Sequence, residues 1–320
     1  MDAATAPRIV AVVPCHDEEA AVAKVVADLL EHVPGIQVYV YDNASTDRTA
    51  QVAREAGAHV RTEPVPGKGN VVRRAFADLD ADVYLLVDGD DTYDIADAPR
   101  MIKQLLAGPH DHVLGVRREA PGAAAYRPGH ERGNRFFNRL VTFTFGVPVS
   151  DMLSGYRVMS RRFVKSFPAL SHEFEIETEM TVHAVNARVP SVEVPVGFRD
   201  RASGSQSKLR TYHDGFRILG MFARLLAHER PLLVTGTLAG LIALVSLVLG
   251  LPVIAEFAQT GLVLRFPTAI LAAALMTIAI IVLVLGLVLQ AITRSQRELK
   301  RLHYLSLPAP PWTTQDRGEA

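Results

Sequence analysis

Val83-Tyr84-Leu85-Leu86-Val87-Asp88-Gly89-Asp90-Asp91-Thr92-Tyr93-Asp94 is an apolar run of strand length that stops in a cluster of carboxylates. Such a run reads as a buried parallel strand whose carboxyl end opens onto a site. Carboxylates two apart on an extended segment project to the same side, so Asp88 and Asp90 can face one hard divalent cation and the phosphates it carries. That chemistry suits Mg2+ or Mn2+ with a diphosphate. Acidic clusters also make solvated turns and helix caps, and the rest of the chain decides between the two readings.

Upstream, the β-branched run at residues 9–13 leads through Pro14-Cys15-His16-Asp17-Glu18-Glu19 into residues 20–32, where Val22, Val25, Val26, Leu29 and Leu30 recur at helical spacing. Residues 38–41 form a second strand that ends in Asp42-Asn43-Ala44-Ser45-Thr46-Asp47, followed by a helix over 48–56 and a short strand over 58–61. Pro66-Gly67-Lys68-Gly69-Asn70 opens a further helix, and a helix over 98–106 and a strand over 112–116, ending at Arg117, follow the acidic cluster. Strands alternating with helices predict an α/β fold with a doubly wound, mostly parallel sheet, whose ligands bind outside the carboxyl ends of the strands. No Gly-x-Gly-x-x-Gly follows the first strand and no Gly-x4-Gly-Lys-Ser/Thr occurs, which disfavours a dinucleotide oxidoreductase and a P-loop nucleotidase.

The 34 basic and 34 acidic residues of the 320 cancel, so charge gives no reason to expect nucleic acid as a partner. A single cysteine, Cys15, excludes an internal disulfide framework and suits a reducing compartment. The first apolar run is too short for a secretory signal core, so the amino-terminal part is expected to stay cytoplasmic. The carboxyl-terminal third differs: residues 231–255 and 266–293 carry no charge. At about 1.5 Å per residue, each can span a hydrocarbon core of about 30 Å. Arg224 and Arg230 precede the first stretch, while Arg294, Arg297, Lys300 and Arg301 follow the second, so the positive-inside rule predicts a hairpin with both ends cytoplasmic.

Residues 132–145 have helical spacing with Arg132, Arg135 and Arg139; 151–157 reads as a polar loop, 173–188 as a helix and 192–196 as a strand. Glu175, Glu177 and Glu179 read mainly as charged helix faces, one of which can orient a basic side chain in the cleft; His183 and His213 read as surface or packing residues. Residues 199–208 form a basic loop, and 209–230 an amphipathic pattern suited to the membrane interface. The expected organisation is a catalytic-type domain over 1–208, an interfacial helix over 209–230, two spans within 231–293, and a basic segment with a disordered tail over 294–320.

Six segments, in order, resemble glycosyltransferase family 2, the inverting GT-A fold, and within it the polyprenyl-phosphate (dolichol-phosphate) sugar synthases. Pro14 to Glu19 is similar to the family's Pro-x-Tyr-Asn-Glu-Glu, and Asp42 to Thr49 to its Asp-Asp/Asn-x-Ser-x-Asp-x-Thr. Gly67-Lys68-Gly69 is similar to its Lys-Gly segment and Asp88-Gly89-Asp90 to its Asp-x-Asp. Asp151 to Arg157 resembles Asp-x-x-Ser-Gly-Phe-Arg, and Arg201 to Lys208 an Arg-x-x-Gly-x-Ser-Lys loop with one extra residue. His16 stands where the family usually has Tyr, and Thr92 where many relatives carry Gln.

The resemblance implies a metal-dependent transferase that moves a sugar (glucose, N-acetylhexosamine or mannose) from a nucleotide diphosphate to polyprenyl phosphate at the cytoplasmic membrane face. Its nucleotide-sugar residues would be Pro14, His16, Glu18, Asp42, Asn43, Ser45, Lys68 and Asp88, with Asp88 and Asp90 on Mg2+ or Mn2+. Asp88, Asp90, Arg117, Arg201 and Lys208 would serve catalysis. Arg117, Arg132, Arg135 and Ser207 are the candidates for the acceptor phosphate. Self-association through the hairpin is a further implication. Competing readings are transfer to another lipid-linked saccharide, a catalytically silent nucleotide-sugar-binding membrane module, and a structural membrane adaptor.

Overall fold

A computed structural model describes residues 6–119, 150–169, 176–199, 226–227 and 230–310. Arg132, Arg135, Arg201, Ser207, Lys208 and His213, and nearly all of the amphipathic stretch over 209–230, lie outside them, as does the tail beyond 310.

The first compact unit comprises residues 1–208 with 300–320. Its strands are β1 (Ile9–Cys15), β2 (Gln37–Asp42), β3 (His59–Thr62), β4 (Val83–Leu86), β5 (His112–Glu119), β6 (Arg157–Ser160) and β7 (Ser191–Phe198), in the sheet order β3-β2-β1-β4-β6-β5-β7. The first four are mutually parallel, and β5 is parallel to β7. β6 runs antiparallel between β4 and β5. The sheet is therefore mixed, and β6 begins at Arg157, the last residue of the stretch 151–157 read from the sequence as a polar loop, and runs through residues to which that reading assigns no strand. Four residues, Arg157-Val158-Met159-Ser160, are too few to show a period.

Strand alternation divides the core. Ala11, Val13, Leu85 and Val87 face the helices α1 (Val22–His32), α2 (Thr49–Glu55) and α4 (Ala98–Leu106). Val10, Val12, Tyr84 and Leu86 face α3 (Lys68–Asp78), α5 (Arg161–Ser166) and α6 (Ile176–Asn186). Both faces of β4 are thus dry, which explains its unbroken apolar run. Local signals set several helix starts: Ser160 accepts a hydrogen bond from the Phe163 amide to open α5, and Asp94 accepts one from Ala96 to open the short turn Ile95–Asp97.

Helix α6 is buried almost all round. His183 sits beside the rings of Phe163 and Phe167, with Nε2 3.0 Å from the Ser166 hydroxyl. Burial, helped by the Lys300 ammonium, pushes its pKa from 6.5 down to about 4. The unfolded chain therefore takes up this proton at higher pH than the folded one. The resulting stability is full above about 6.5 and is lost as pH falls towards 4, by about 3 kcal/mol. In thermal unfolding, the stability gap between wild type and His183→Gln should narrow by about 2 kcal/mol between about pH 7.5 and pH 5; an unchanged gap would refute the assignment.

The second unit covers residues 209–299. Within it, α7 (Pro231–Thr260) ends at Gly261 in the left-handed region, and α8 (Phe266–Ser306) starts after a short loop. Thr235 meets Gly286 while Ser246 donates to the Ala272 carbonyl at 2.8 Å, so the two helices pack antiparallel. Both are long and apolar enough to cross a membrane, with mean hydropathies of 2.6 and 3.0 over their most apolar stretches. Helix α8 continues well past residue 293, and its last turn belongs to the first unit. There Tyr304 donates to Asp111 at 2.6 Å, Arg162 pairs with the same buried carboxylate, and Arg301 donates to the Ala187 carbonyl at 2.7 Å.

Candidate active site

The parallel strands run outward from β1 in both directions, to β2 and to β4, and their carboxyl ends meet at this reversal. Cys15, the last residue of β1, registers the convergence. Burial raises its thiol pKa, and Glu18, Asp42, Asp88 and Asp90 each raise it further. Four carboxylates from three segments therefore lie within electrostatic reach of one strand end. Cys15 also packs on the acidic turn so closely that a Cβ on Gly89 would collide with its Sγ.

The loops after β1 and β2 are stitched together. His16 Nδ1 lies 2.8 Å from the Asn43 carbonyl, the Asp17 amide donates to the Ser45 hydroxyl at 3.0 Å, and the Glu18 amide donates to Thr49 Oγ1 at 2.8 Å. Asn43 spends its side chain on the scaffold: Nδ2 donates to the Glu63 and Val65 carbonyls, and Oδ1 accepts from the Gly67 amide at 2.7 Å. That last bond seats the turn from which Lys68 starts α3. Asp42 is buried with Oδ1 lacking a hydrogen-bond partner among the described residues, while Pro14 continues the β1 ladder opposite Tyr41. Ser45 and Asn43 thus hold the loops, and Asp42 keeps an oxygen in reserve.

Strand β4 stops at Leu86, and Gly89-Asp90 is a turn. The two carboxylates are therefore placed by that turn and not by strand pleating. Asp90 is buried, and its Oδ1 accepts from the Thr92 hydroxyl at 2.7 Å and the Thr92 amide at 3.2 Å. Thr92 thereby orients the carboxylate. Asp91 faces elsewhere, pairing with Lys24 at 2.8 Å and Arg199 at 3.1 Å. Lys68 Nζ contacts Asp88 Oδ1 and lies 2.5 Å from Glu177 Oε1. Burial works against the ammonium, but Asp88 and Glu177 outweigh it and raise the Lys68 pKa. Glu177, read from the sequence mainly as part of a charged helix face, is instead almost wholly buried.

A second layer supports the acidic turn. The Gly155 amide donates to the Tyr93 hydroxyl at 2.9 Å, and a Cβ at Gly155 would fall 2.6 Å from Asp88 Oδ2 and 2.9 Å from Lys68 Nζ. Burial lifts the Tyr93 phenol to about 12, with Arg117, Asp88 and Lys68 all within electrostatic reach. Gly155→Ala is expected to displace the Asp88–Lys68 pair and lower kcat/KM by about a hundredfold, with a small change in melting temperature. Activity within threefold of wild type would show that the contact does not matter.

Arg117 forms a bidentate pair with Asp151, Nε and Nη2 each at 2.7 Å, and lies over the Phe198 ring. The Asp151 carboxylate balances the Arg117 charge inside the protein. Arg157, absent from the site residues expected from sequence, is fully buried, and its guanidinium donates to the carbonyls of Met152, Ser154 and Glu177 and to Thr181 Oγ1. It joins the 151–156 loop to α6.

Among the described residues no three histidine, cysteine or carboxylate side chains form a metal cage. Asp88 and Asp90 suffice for a cation of the Mg2+ or Mn2+ type, which is commonly held by one or two carboxylates plus substrate phosphate and water. Among the described residues the charges agree: Asp42, Asp88, Asp90 and Glu177 outnumber the one ammonium they meet here, that of Lys68.

Residues 10–167 match the glycosyl transferase family 2. Glycosyltransferase AglJ of Haloferax volcanii is 35% identical over 230 residues, covering 70% of this chain and 74% of that protein. The chain belongs to glycosyl transferase family 2. A dolichyl-phosphate hexose transferase of the same organism is 29% identical over 67% of this family 2 enzyme and 92% of the relative. Glucosyl-3-phosphoglycerate synthase from Mycobacterium tuberculosis, solved with Mn2+, UDP and glucosyl-3-phosphoglycerate, shares the fold, with a TM-score of 0.54 at 22% identity over 70% of this chain and 78% of that one. The chain is accordingly a glycosyltransferase with a GT-A-like fold, and the acidic turn and the loops after β1 and β2 form its candidate site.

Proposed function

We propose that this family 2 glycosyltransferase moves a hexosyl group from a nucleoside-diphosphate sugar to the phosphate of a polyprenyl lipid. The observation that carries the reading is the presence, on one chain, of the strand-end site and two helices of membrane-spanning length. The likeness to a dolichyl-phosphate hexose transferase supports the same acceptor. In this reading α7 and α8 cross the cytoplasmic membrane as a hairpin, the basic flanks stay inside, and the first unit works at the cytoplasmic face.

Asp42, with its unserved oxygen, and the loop bearing Pro14, His16 and Glu18 receive the nucleoside. Asp88 and Asp90 would hold a divalent cation, which would screen the negative charge of the diphosphate. Lys68, from α3, supplies an ammonium beside it. An acceptor phosphate monoester has a second pKa of about 6, so at neutral pH it is already largely ionised. One of its oxygens attacks the anomeric carbon as the bond from that carbon to the diphosphate oxygen breaks, with inversion. No general base is required, and the basic residues Arg201 and Lys208, with Arg132, Arg135 and Ser207, are the candidates for meeting the acceptor.

The test uses purified protein in detergent, undecaprenyl phosphate, Mn2+ or Mg2+, and a panel of radiolabelled UDP- and GDP-sugars, followed by extraction of labelled lipid. Label in a monophosphate lipid from one donor, lost with EDTA and restored by the cation, is the expected result. Donor binding without lipid labelling would overturn the acceptor assignment and favour another lipid-linked saccharide or a binding module.

A further inference from the structure

Lys68 stands between two unequal carboxylates. The Asp88 side chain is 28% exposed, whereas that of Glu177, which comes from α6, is 4% exposed. Glu177 Oε2 is buried and has no hydrogen-bond partner among the described residues. The Glu177 carbonyl accepts from Arg157 at 2.9 Å, so the backbone of this residue is fixed from within the core. A carboxylate so buried, with one oxygen unserved, costs stability unless its charge is paired. Here the charge acts on Lys68.

We propose that Glu177 is a positioning residue that keeps the Lys68 ammonium beside the diphosphate position and frees Asp88 for the divalent cation. The inference rests on the reading of Asp88 and Asp90 as that cation's ligands. With Glu177 ionised, Lys68 divides its attraction and keeps a full counter-charge when Asp88 turns to another cation. Without it, withdrawing Asp88 leaves a buried, unpaired ammonium next to an incoming positive charge, and the Lys68–Asp88 pair persists instead. Glu177 thus acts through Lys68 and touches neither donor nor acceptor.

The experiment is a double-mutant cycle on Mn2+ binding to the full chain in detergent, followed by the electron paramagnetic resonance of free Mn2+, with a melting curve for each variant. Glu177→Gln should raise the Mn2+ Kd about tenfold, in the range usual for residues that hold a metal's neighbours in place. Lys68→Met should leave it within about threefold of wild type or tighten it, and Glu177→Gln with Lys68→Met should return to the Lys68→Met value. Glu177→Asp, which keeps the charge, should recover part of the loss. A double variant as weak as Glu177→Gln alone would show that the carboxylate acts on the cation or the fold directly, and would overturn the proposal. So would a Glu177→Gln Kd within about twofold of wild type. Failure of the wild type to bind Mn2+ would overturn the cation reading of the acidic pair, and this inference with it.

Discussion

Asp90→Asn is expected to lower sugar transfer at least about a thousandfold, roughly 4 kcal/mol of transition-state stabilisation, while the melting temperature stays within a few degrees of wild type. The substitution is nearly isosteric, and the Thr92 hydroxyl and amide still find an acceptor oxygen at the position of Oδ1. What disappears is a full negative charge on a buried side chain, which the neighbouring Asp91, tied to Lys24 and Arg199, does not replace. Initial rates at saturating donor and over a range of Mn2+ concentrations provide the check. Residual activity above about a tenth of wild type at saturating Mn2+ would remove Asp90 from the cation site. Thr92→Val, which keeps the carboxylate and loses its orienting hydroxyl, should be milder, about tenfold.

Arg157→Met should be the most destabilising of the substitutions considered. The guanidinium is fully buried and bonds four oxygens, at 3.0 Å to Met152 and Ser154, 2.9 Å to Glu177 and 3.1 Å to Thr181. Burial lowers its pKa to about 10, yet it remains charged at neutral pH, helped by Glu177 and Asp151. Methionine fills much of the volume but leaves buried carbonyls without donors, at about 1–3 kcal/mol each, so a net loss of about 4 kcal/mol is expected after relaxation. For a unit of this size that corresponds to a fall of about 10 °C in melting temperature. Activity should fall with it even well below the transition, since the loop carrying Gly155 against Asp88 loses its tie to α6. A fall of less than about 2 °C would mean that the loop is held by other contacts. Arg157→Lys should lie between, keeping the charge and losing the fork.

The two substitutions differ in how far sequence alone reveals their targets. Asp90 lies at the end of an apolar run of strand length, and that pattern marks both the strand and the site at its end. Arg157 lies in a segment that resembles a family motif, but nothing local distinguishes a buried guanidinium from a solvated one. Glu177 is harder still, because its helix carries several glutamates and spacing does not tell which one turns inward. The partners that bury it, Lys68 and the Arg157-held loop, come from distant parts of the chain.

Hydrophobic periodicity and strand-end chemistry, both local properties, suffice for the alternating strands and helices, the carboxyl-end placement of His16, Glu18, Asp42 and Asp88, and the two long apolar helices. Tertiary structure alone decided the antiparallel insertion of β6, the continuation of α8 to Tyr304 and its bond to Asp111, the commitment of Arg117 to Asp151, and the burial of Glu177 against Lys68. Each depends on which distant charge meets which, and that pairing is set by the packing of whole elements, which burial energetics determine for the fold as a unit.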